Sequence, residues 1–191
     1  MKLIFASNNP HKIAEIRNQL PHTIEILSLE DIGCVIDIPE TADTIEGNAI
    51  LKADFIKRHY GYDCFADDSG LEVDALNGAP GVYSARFAGP QRSDSDNIDK
   101  LLSDLEAHTD RKANFKTVIA LHLQGELHLF TGLVVGEIIA ERKGNDGFGY
   151  DPVFKAIGMD KTFAELTLVE KNEISHRGKA VAELIAFLNR Q

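Results

Sequence analysis

The chain opens on a short apolar run, KLIFAS, that turns polar at Ser7 and predicts a strand. Asn9 and Pro10 follow, an N-cap residue and a proline at the first helical position. Ile13, Ile16 and Leu20 then recur at helical spacing through PHKIAEIRNQL. IEILS predicts a second strand. Thr44 can cap a helix over IEGNAILKADFIKRHY that buries Ile45, Ala49 and Ile56, and DCFAD reads as a third, short strand. From Leu71 to Gly89 the alternating LEVDAL gives way to a Gly/Pro-rich loop. Ser93 to His108 carries Ile98, Leu101, Leu102 and Leu105 among charges, the pattern of a surface helix. NFKTVIALHLQ and ELHLFTGLVVGEII meet at Gln124-Gly125 and predict a long antiparallel hairpin. After the Gly-dense RKGNDGFGYDP, a final helix is expected from Asn172 onward, packing Val181, Leu184, Ile185 and Leu188. No internal repeat and no Ser/Pro linker interrupts this order, so residues 1–191 read as a single α/β domain with a mixed sheet.

The composition changes this picture little. At 191 residues, with 43% hydrophobic and 26% charged, the chain is long enough to bury roughly 70% of its unfolded surface. No apolar run reaches the roughly 18 residues of a membrane span, and MKLIFASNNPHK lacks the apolar stretch of a secretory signal, so a cytoplasmic protein is expected. Cys34 and Cys64 do not form a C-x-x-C pair and read as reduced. Charge is more informative. The net charge of −10, from 20 basic and 30 acidic residues with no Lys/Arg run, opposes binding to a polynucleotide. A small anion is compatible only where a few cations converge on one site.

Five segments offer such chemistry. Ser7-Asn8-Asn9-Pro10-His11-Lys12 lies between a strand and a helix start, where free amides, the helix dipole and Lys12 favour a phosphate; a plain N-cap beside an exposed lysine is the other reading. Asp67-Asp68-Ser69-Gly70, placed at a strand's end, suits Mg²⁺, which takes one or two carboxylates and fills its shell with water and phosphate oxygens. Because strand neighbours face opposite ways, only one Asp is expected at the metal; a solvated turn is the alternative. In ETADTIEGNAILKAD, Glu40 and Glu46 add carboxylates, and Asn48 and Lys52 share a helical face, with Lys52 either aimed inward or snorkelling to water. GNDGFGYDP lets backbone approach a ligand and offers Phe148 or Tyr150 to a flat ring, or else is a turn with an aromatic plug. EKNEISHRGKA gathers Lys171, His176 and Arg177 at a helix start, a position that usually prefers acids. H-E-x-x-H, G-x-S-x-G and G-x-G-x-x-G are absent, and His122 with His128, which can face each other across the hairpin, lack a third ligand.

Taken in order, S-N-N-P-H-K, E-G-N-A-x-x-K-A, A-D-D-S-G-L, G-A-P-G-V-Y-S-A-R, F-G-Y-D-P and S-H-R resemble the inosine triphosphate pyrophosphatase, or Ham1-like, family over almost the whole chain. The resemblance implies a long mixed β-sheet flanked by helices, two lobes with an active-site cleft between them, and a homodimer. It implies Mg²⁺-dependent hydrolysis of ITP, dITP and XTP to the monophosphate and pyrophosphate. Carried onto this sequence, it makes Asp68 the catalytic base and Asp68 with Glu40 the metal ligands, supported by Asp67, with Glu46 able to replace Glu40. It makes Ser7, Asn8, Asn9, Pro10, His11 and Lys12 the phosphate loop, and sets Lys52 near the phosphates and Ser69 on the substrate. Phe148, Gly149, Tyr150, Asp151, Lys171, His176 and Arg177 become the base-side and sugar-side pocket. His11 stands at a variable position of the first motif, and Gly47 where some members carry a larger residue. A phosphohydrolase for other modified nucleotides, or a non-catalytic nucleotide-binding protein, would use the same residues.

Overall fold

A computed structural model describes all 191 residues. Six strands form one sheet: β1 (Lys2–Phe5), β2 (Glu25–Leu27), β3 (Cys64–Val73), β4 (Lys112–Leu123), β5 (Glu126–Ile138) and β6 (Phe154–Ala156). They lie in the order β2-β1-β3-β4-β5-β6. β1 runs parallel to β2 and β3, and every pair from β3 to β6 is antiparallel, so the sheet is mixed. Five helices accompany it: α1 (Pro10–Gln19), α2 (Ile45–Tyr60), α3 (Asp94–Asp104), α4 (Leu168–Ile174) and α5 (His176–Leu188).

β3 and β4 are buried on both faces. Toward α2 they present Cys64, Ala66, Val118 and Ala120, which pack on Ala49, Ala53 and Ile56; toward α1 and α5 they present Phe65, Ile119 and Leu121, which pack on Ile16, Val181 and Leu184. A third apolar cluster, around Leu71, Phe115, Phe154 and Phe163, anchors α3 through Ile98 and Leu101. The hairpin β4-β5 closes at Gln124 (φ 52) and Gly125 (φ 90), the paired positive φ of a two-residue turn that suits the strands' twist.

Four sequence expectations change. β3 does not stop at Asp67 but continues for ten residues through Asp67-Asp68-Ser69-Gly70 to Val73. These polar residues keep to the ladder because each pairs with a residue of β4, and Gly70 lets the backbone of Gly81 approach: an added Cβ would meet Gly81 O at 2.5 Å. The final helix is two helices, broken at Ser175 (φ −71, ψ 160), which ends α4 and caps α5 by accepting from Gly178 N at 3.0 Å. The helix expected from Ser93 to His108 spans only Asp94–Asp104, and its Ile98 and Leu101 are buried. His122 and His128 do not face each other. The register sets His122 opposite Leu127 and His128 opposite Leu121, so the rings lie on opposite sides of the sheet, one on Asp54 (2.7 Å) and one on Phe187. Both cysteines are free, and burial pushes the Cys64 thiol up to about 12.

Candidate active site

A cavity of about 790 Å³ opens where α1, α2, β3, α5 and the loop 144–152 meet. That is ample for a small ligand. Its wall contains Ser7 to Lys12, Glu40, Lys52, Asp68, Ser69, Phe148 to Asp151, Lys171, His176 and Arg177, segments up to about 170 residues apart in the chain. Six of the chain's 20 lysines and arginines line it: Lys12, Lys52, Arg86, Arg92, Lys171 and Arg177. Five carboxylates, Asp37, Glu40, Asp68, Asp94 and Asp151, line it too, so in a chain of net charge −10 this wall carries a slight excess of cations, a setting that can hold a small anion.

Strand alternation divides the two aspartates, as expected of consecutive β residues. Asp67 points with Phe65 and Ser69 toward α1 and α5. Its Oδ2 lies 3.0 Å from Lys12 Nζ and accepts from Arg177 Nε at 3.3 Å, with no solvent exposure. Burial would raise this carboxyl, but Lys12, Arg177 and Lys52 outweigh it and hold Asp67 well below the usual carboxylate range. Asp68 points the other way, where Oδ1 stands 3.6 Å from Lys52 Nζ. Burial, aided by the negative charges of Glu40 and Asp67, wins over Lys52 and Lys12 and raises Asp68. Two neighbouring carboxyls are therefore driven apart, one fixed as an anion and one shifted toward the range useful to a general base.

Lys52 aims inward: its Nζ donates to Glu40 Oε1 at 2.6 Å. Asn48, one turn earlier on the same face, accepts from Ala42 N at 2.9 Å and holds the loop that presents Glu40. Arg86 also approaches Glu40, at 3.7 Å. Glu40 and Asp68 thus flank one ammonium, a pair of hard oxygen donors around one point. No group of three or more His, Cys, Asp or Glu gathers anywhere in the chain, so a closed all-protein metal cage is absent. Two carboxylates beside an open cavity fit Mg²⁺, which keeps several waters. Glu46 is drawn away to Lys116 and does not line the cavity, leaving Glu40 as the second donor.

At the start of α1, Asn9 Oδ1 accepts from His11 N (3.0 Å) and Lys12 N (3.2 Å), and Ser7 Oγ accepts from Asn9 N (3.2 Å). The N-cap is real, and it consumes amides that the sequence reading left free for a ligand. What remains for an anion is the Asn8 amide, the Lys12 ammonium and the small polar side chains around them. Next to Lys12, across Asp67, Arg177 Nη2 donates to Ser69 Oγ (3.0 Å), and Ser69 shares a 2.6 Å bond with Thr117. Lys171 donates to Asp151 Oδ2 (2.5 Å), which also accepts from Phe148 N (2.9 Å). Burial, then the charges of Arg177 and Lys171, lowers His176 well below the ordinary histidine value; its neutral ring stacks on Phe115, and Nδ1 has no partner.

Two anchoring residues escaped the sequence reading. Glu15 on α1 is buried, accepts from Lys171 Nζ at 2.7 Å and pairs with Arg177. Its partners lie 156 and 162 residues away, and an acid beside Ile16 on a helical stripe gives no local sign of them. Asp94, the first residue of α3, accepts from Gly149 N at 2.6 Å and so ties loop 144–152 to α3. A Ser-Asp helix start reads as ordinary capping.

Fold and cavity together define the class of protein: an α/β protein with a mixed sheet whose cavity gathers cations, two adjacent carboxylates and an aromatic ring. Comparison narrows it. The Ham1 family model matches residues 3–187, and the chain belongs to the Ham1 family. It is 64% identical over 188 residues to the dITP/XTP pyrophosphatase of Flavobacterium johnsoniae, covering 98% of each chain. Among solved structures, the Ham1 protein of Coxiella burnetii superposes with a TM-score of 0.93 at 40% identity over 100% of both chains. The Staphylococcus aureus Ham1 protein does so with 0.91 at 43% identity, covering 99% of this chain and 98% of that one.

Proposed function

We propose that this chain hydrolyses the triphosphates of deaminated purines (ITP, dITP and XTP) between the α- and β-phosphorus, releasing pyrophosphate and the nucleoside monophosphate. The observation that carries the reading is the gathering in one cavity of Asp68, Glu40 and Lys52, of Lys12 and Arg177 on either side of Asp67, and of Phe148, Lys171 and His176. The name given to the Flavobacterium relative, a dITP/XTP pyrophosphatase, supports it.

Lys12 and Lys52 meet the triphosphate, whose roughly four negative charges need compensation in an acidic protein. Asp68 and Glu40 would hold Mg²⁺, which would supply charge neutralisation for phosphate oxygens and a more acidic water. Asp68, raised by burial, takes the proton of a water in line with the α-phosphorus; the new oxygen–phosphorus bond forms as the bond to the β-phosphate oxygen breaks, and pyrophosphate leaves. Asp67 holds Lys12 and Arg177 in place.

Base selection follows from donor and acceptor identity. Hypoxanthine and xanthine show a keto acceptor beside an N–H donor, and adenine the reverse. Arg177 can only donate, and three of its five N–H groups face Asp67, Glu15 and Ser69, leaving two for the keto edge. Neutral His176 can donate as well, and Asp151 can accept the ring N–H. An adenine would leave such groups unpaired, at roughly 1–3 kcal/mol each. The enzyme acts as a cytoplasmic homodimer; no helix is long and apolar enough to cross a membrane.

The test is a panel of purine and pyrimidine triphosphates with Mg²⁺, with pyrophosphate and orthophosphate measured separately. Pyrophosphate from ITP and XTP, with little from ATP, is expected; orthophosphate as the main product would reject the reading in favour of a γ-phosphohydrolase.

A further inference from the structure

Sequence order puts His11 in the phosphate loop, between Pro10 and Lys12, but its side chain goes elsewhere. Adjacent helical residues point about 100° apart. Lys12 turns inward to Asp67, 3.0 Å away, and His11 turns toward loop 144–152. There its imidazole stacks on the Phe148 ring, with centroids 5.1 Å apart and planes 16° from parallel. Its backbone N–H is taken by Asn9 Oδ1 at 3.0 Å, so the main chain of His11 offers no amide to a phosphate. Both rings line the cavity. Phe148 is the residue they share with the base side: Lys171 Nζ lies 4.9 Å, and Arg177 Cζ 5.5 Å, from its ring centroid.

We propose that His11 is a base-side positioning residue, which pairs with Phe148 to make the aromatic platform on which the purine ring stacks. The inference rests on the reading of Phe148 as the base-stacking residue and assigns to His11 a role that its place in the first motif does not suggest. Phe148 sits on a glycine-flanked loop between Gly147 (φ 75) and Gly149 (φ 60), two positions with wide backbone freedom. Its own amide is tied to Asp151 and that of Gly149 to Asp94, and its ring meets the Lys171 and Arg177 cations. His11, in the first turn of α1, adds the one aromatic contact to that ring and joins the phosphate-side helix to the base-side loop. An offset aromatic stack is the favoured geometry for two such rings, and its strength sets the size of the effect.

Steady-state kinetics of the wild type, His11→Ala and His11→Phe with ITP and XTP, together with competitive inhibition by inorganic tripolyphosphate, test this. His11→Ala is expected to raise KM for both nucleotides about two- to tenfold with kcat within about twofold of wild type, the range that one aromatic stack provides. Tripolyphosphate, which has no base, should inhibit it as well as it inhibits wild type, and His11→Phe should restore KM. An unchanged KM in His11→Ala would overturn the proposal. So would a loss of tripolyphosphate affinity in step with KM, which would return His11 to the phosphate side, or a failure of phenylalanine to rescue. A wild type that releases no pyrophosphate from ITP would sink the functional reading and this inference together; an active wild type matched by His11→Ala would sink this inference alone.

Discussion

Asp68 and Asp67 are chemically identical and covalently adjacent, yet their surroundings give them opposite tasks. Burial raises Asp68 while Lys12 and Arg177 keep Asp67 ionised. Asp68→Asn removes the base and a metal donor and is expected to lower kcat by at least about a hundredfold. Because it also removes a charge that burial disfavours, the thermal midpoint should hold or rise slightly; a variant retaining most of the wild-type rate would remove Asp68 from the chemistry. Glu15 is the opposite case. Replacing it with Gln leaves Lys171 and Arg177, both buried, short of a counter-charge, which costs about 3–5 kcal/mol where a buried pair is broken; urea unfolding would measure it. His176 supplies the pH dependence. Its folded pKa lies below that of the unfolded chain, near 6.5, so the folded form resists a proton that the unfolded form accepts. The stability it permits is complete above about pH 6.5 and is lost as pH falls below it, by at most about 1.4 kcal/mol per pH unit. Melting between pH 7 and 5 should show this slope, and His176→Gln should flatten it.

Elements carry these residues only because backbones approach closely where α5 begins. Gly132 on β5 lies under His176: a Cβ there would meet His176 O at 1.8 Å and Ala180 N at 2.7 Å. Gly178 lies against α4, where a Cβ would meet Asn172 O at 1.8 Å. All of these are backbone atoms, which cannot swing aside. Gly132→Ala is therefore expected to push the first turn of α5 off the sheet, lowering stability by about 1–3 kcal/mol and raising KM for ITP as His176 and Arg177 shift; an unchanged KM with a lowered melting midpoint would separate packing from positioning. α1, α2 and the hairpin were legible in the sequence because their apolar periods and caps agree, as with Asn9-Pro10, Thr44 and Gln124-Gly125, whereas the break at Ser175 between α4 and α5 was not. β3 was legible only to Asp67. Its polar middle breaks the apolar pattern; the ladder with β4 makes it a strand, and the cations that meet its aspartates come from α1, α2 and α5, out of reach of any local rule.

At the scale of the whole molecule, the resemblance of six short motifs marked most of the cavity wall, and the fold then joined segments that no single motif connects. What stayed hidden was the support behind that wall, Glu15 and Asp94, since buried ion pairs and loop anchors obey no spacing. One surface is unlike the rest. Leu127, Leu129, Leu133 and Val135, each more than 40% exposed, form an apolar stripe along the outer side of β5, with Ile157 beside Val135. The proposed homodimer would bury this stripe, and Leu129→Glu with Leu133→Glu should then yield a monomer in sedimentation analysis; a variant still dimeric would place the interface elsewhere. The proposed chemistry turns on one step, the attack by a water activated beside Asp68 on the α-phosphorus. Hydrolysis of ITP in water enriched in heavy oxygen, followed by mass analysis of both products, tests it most directly. The label is predicted in the inosine monophosphate and absent from the pyrophosphate; label in the pyrophosphate, or in orthophosphate, would contradict the account.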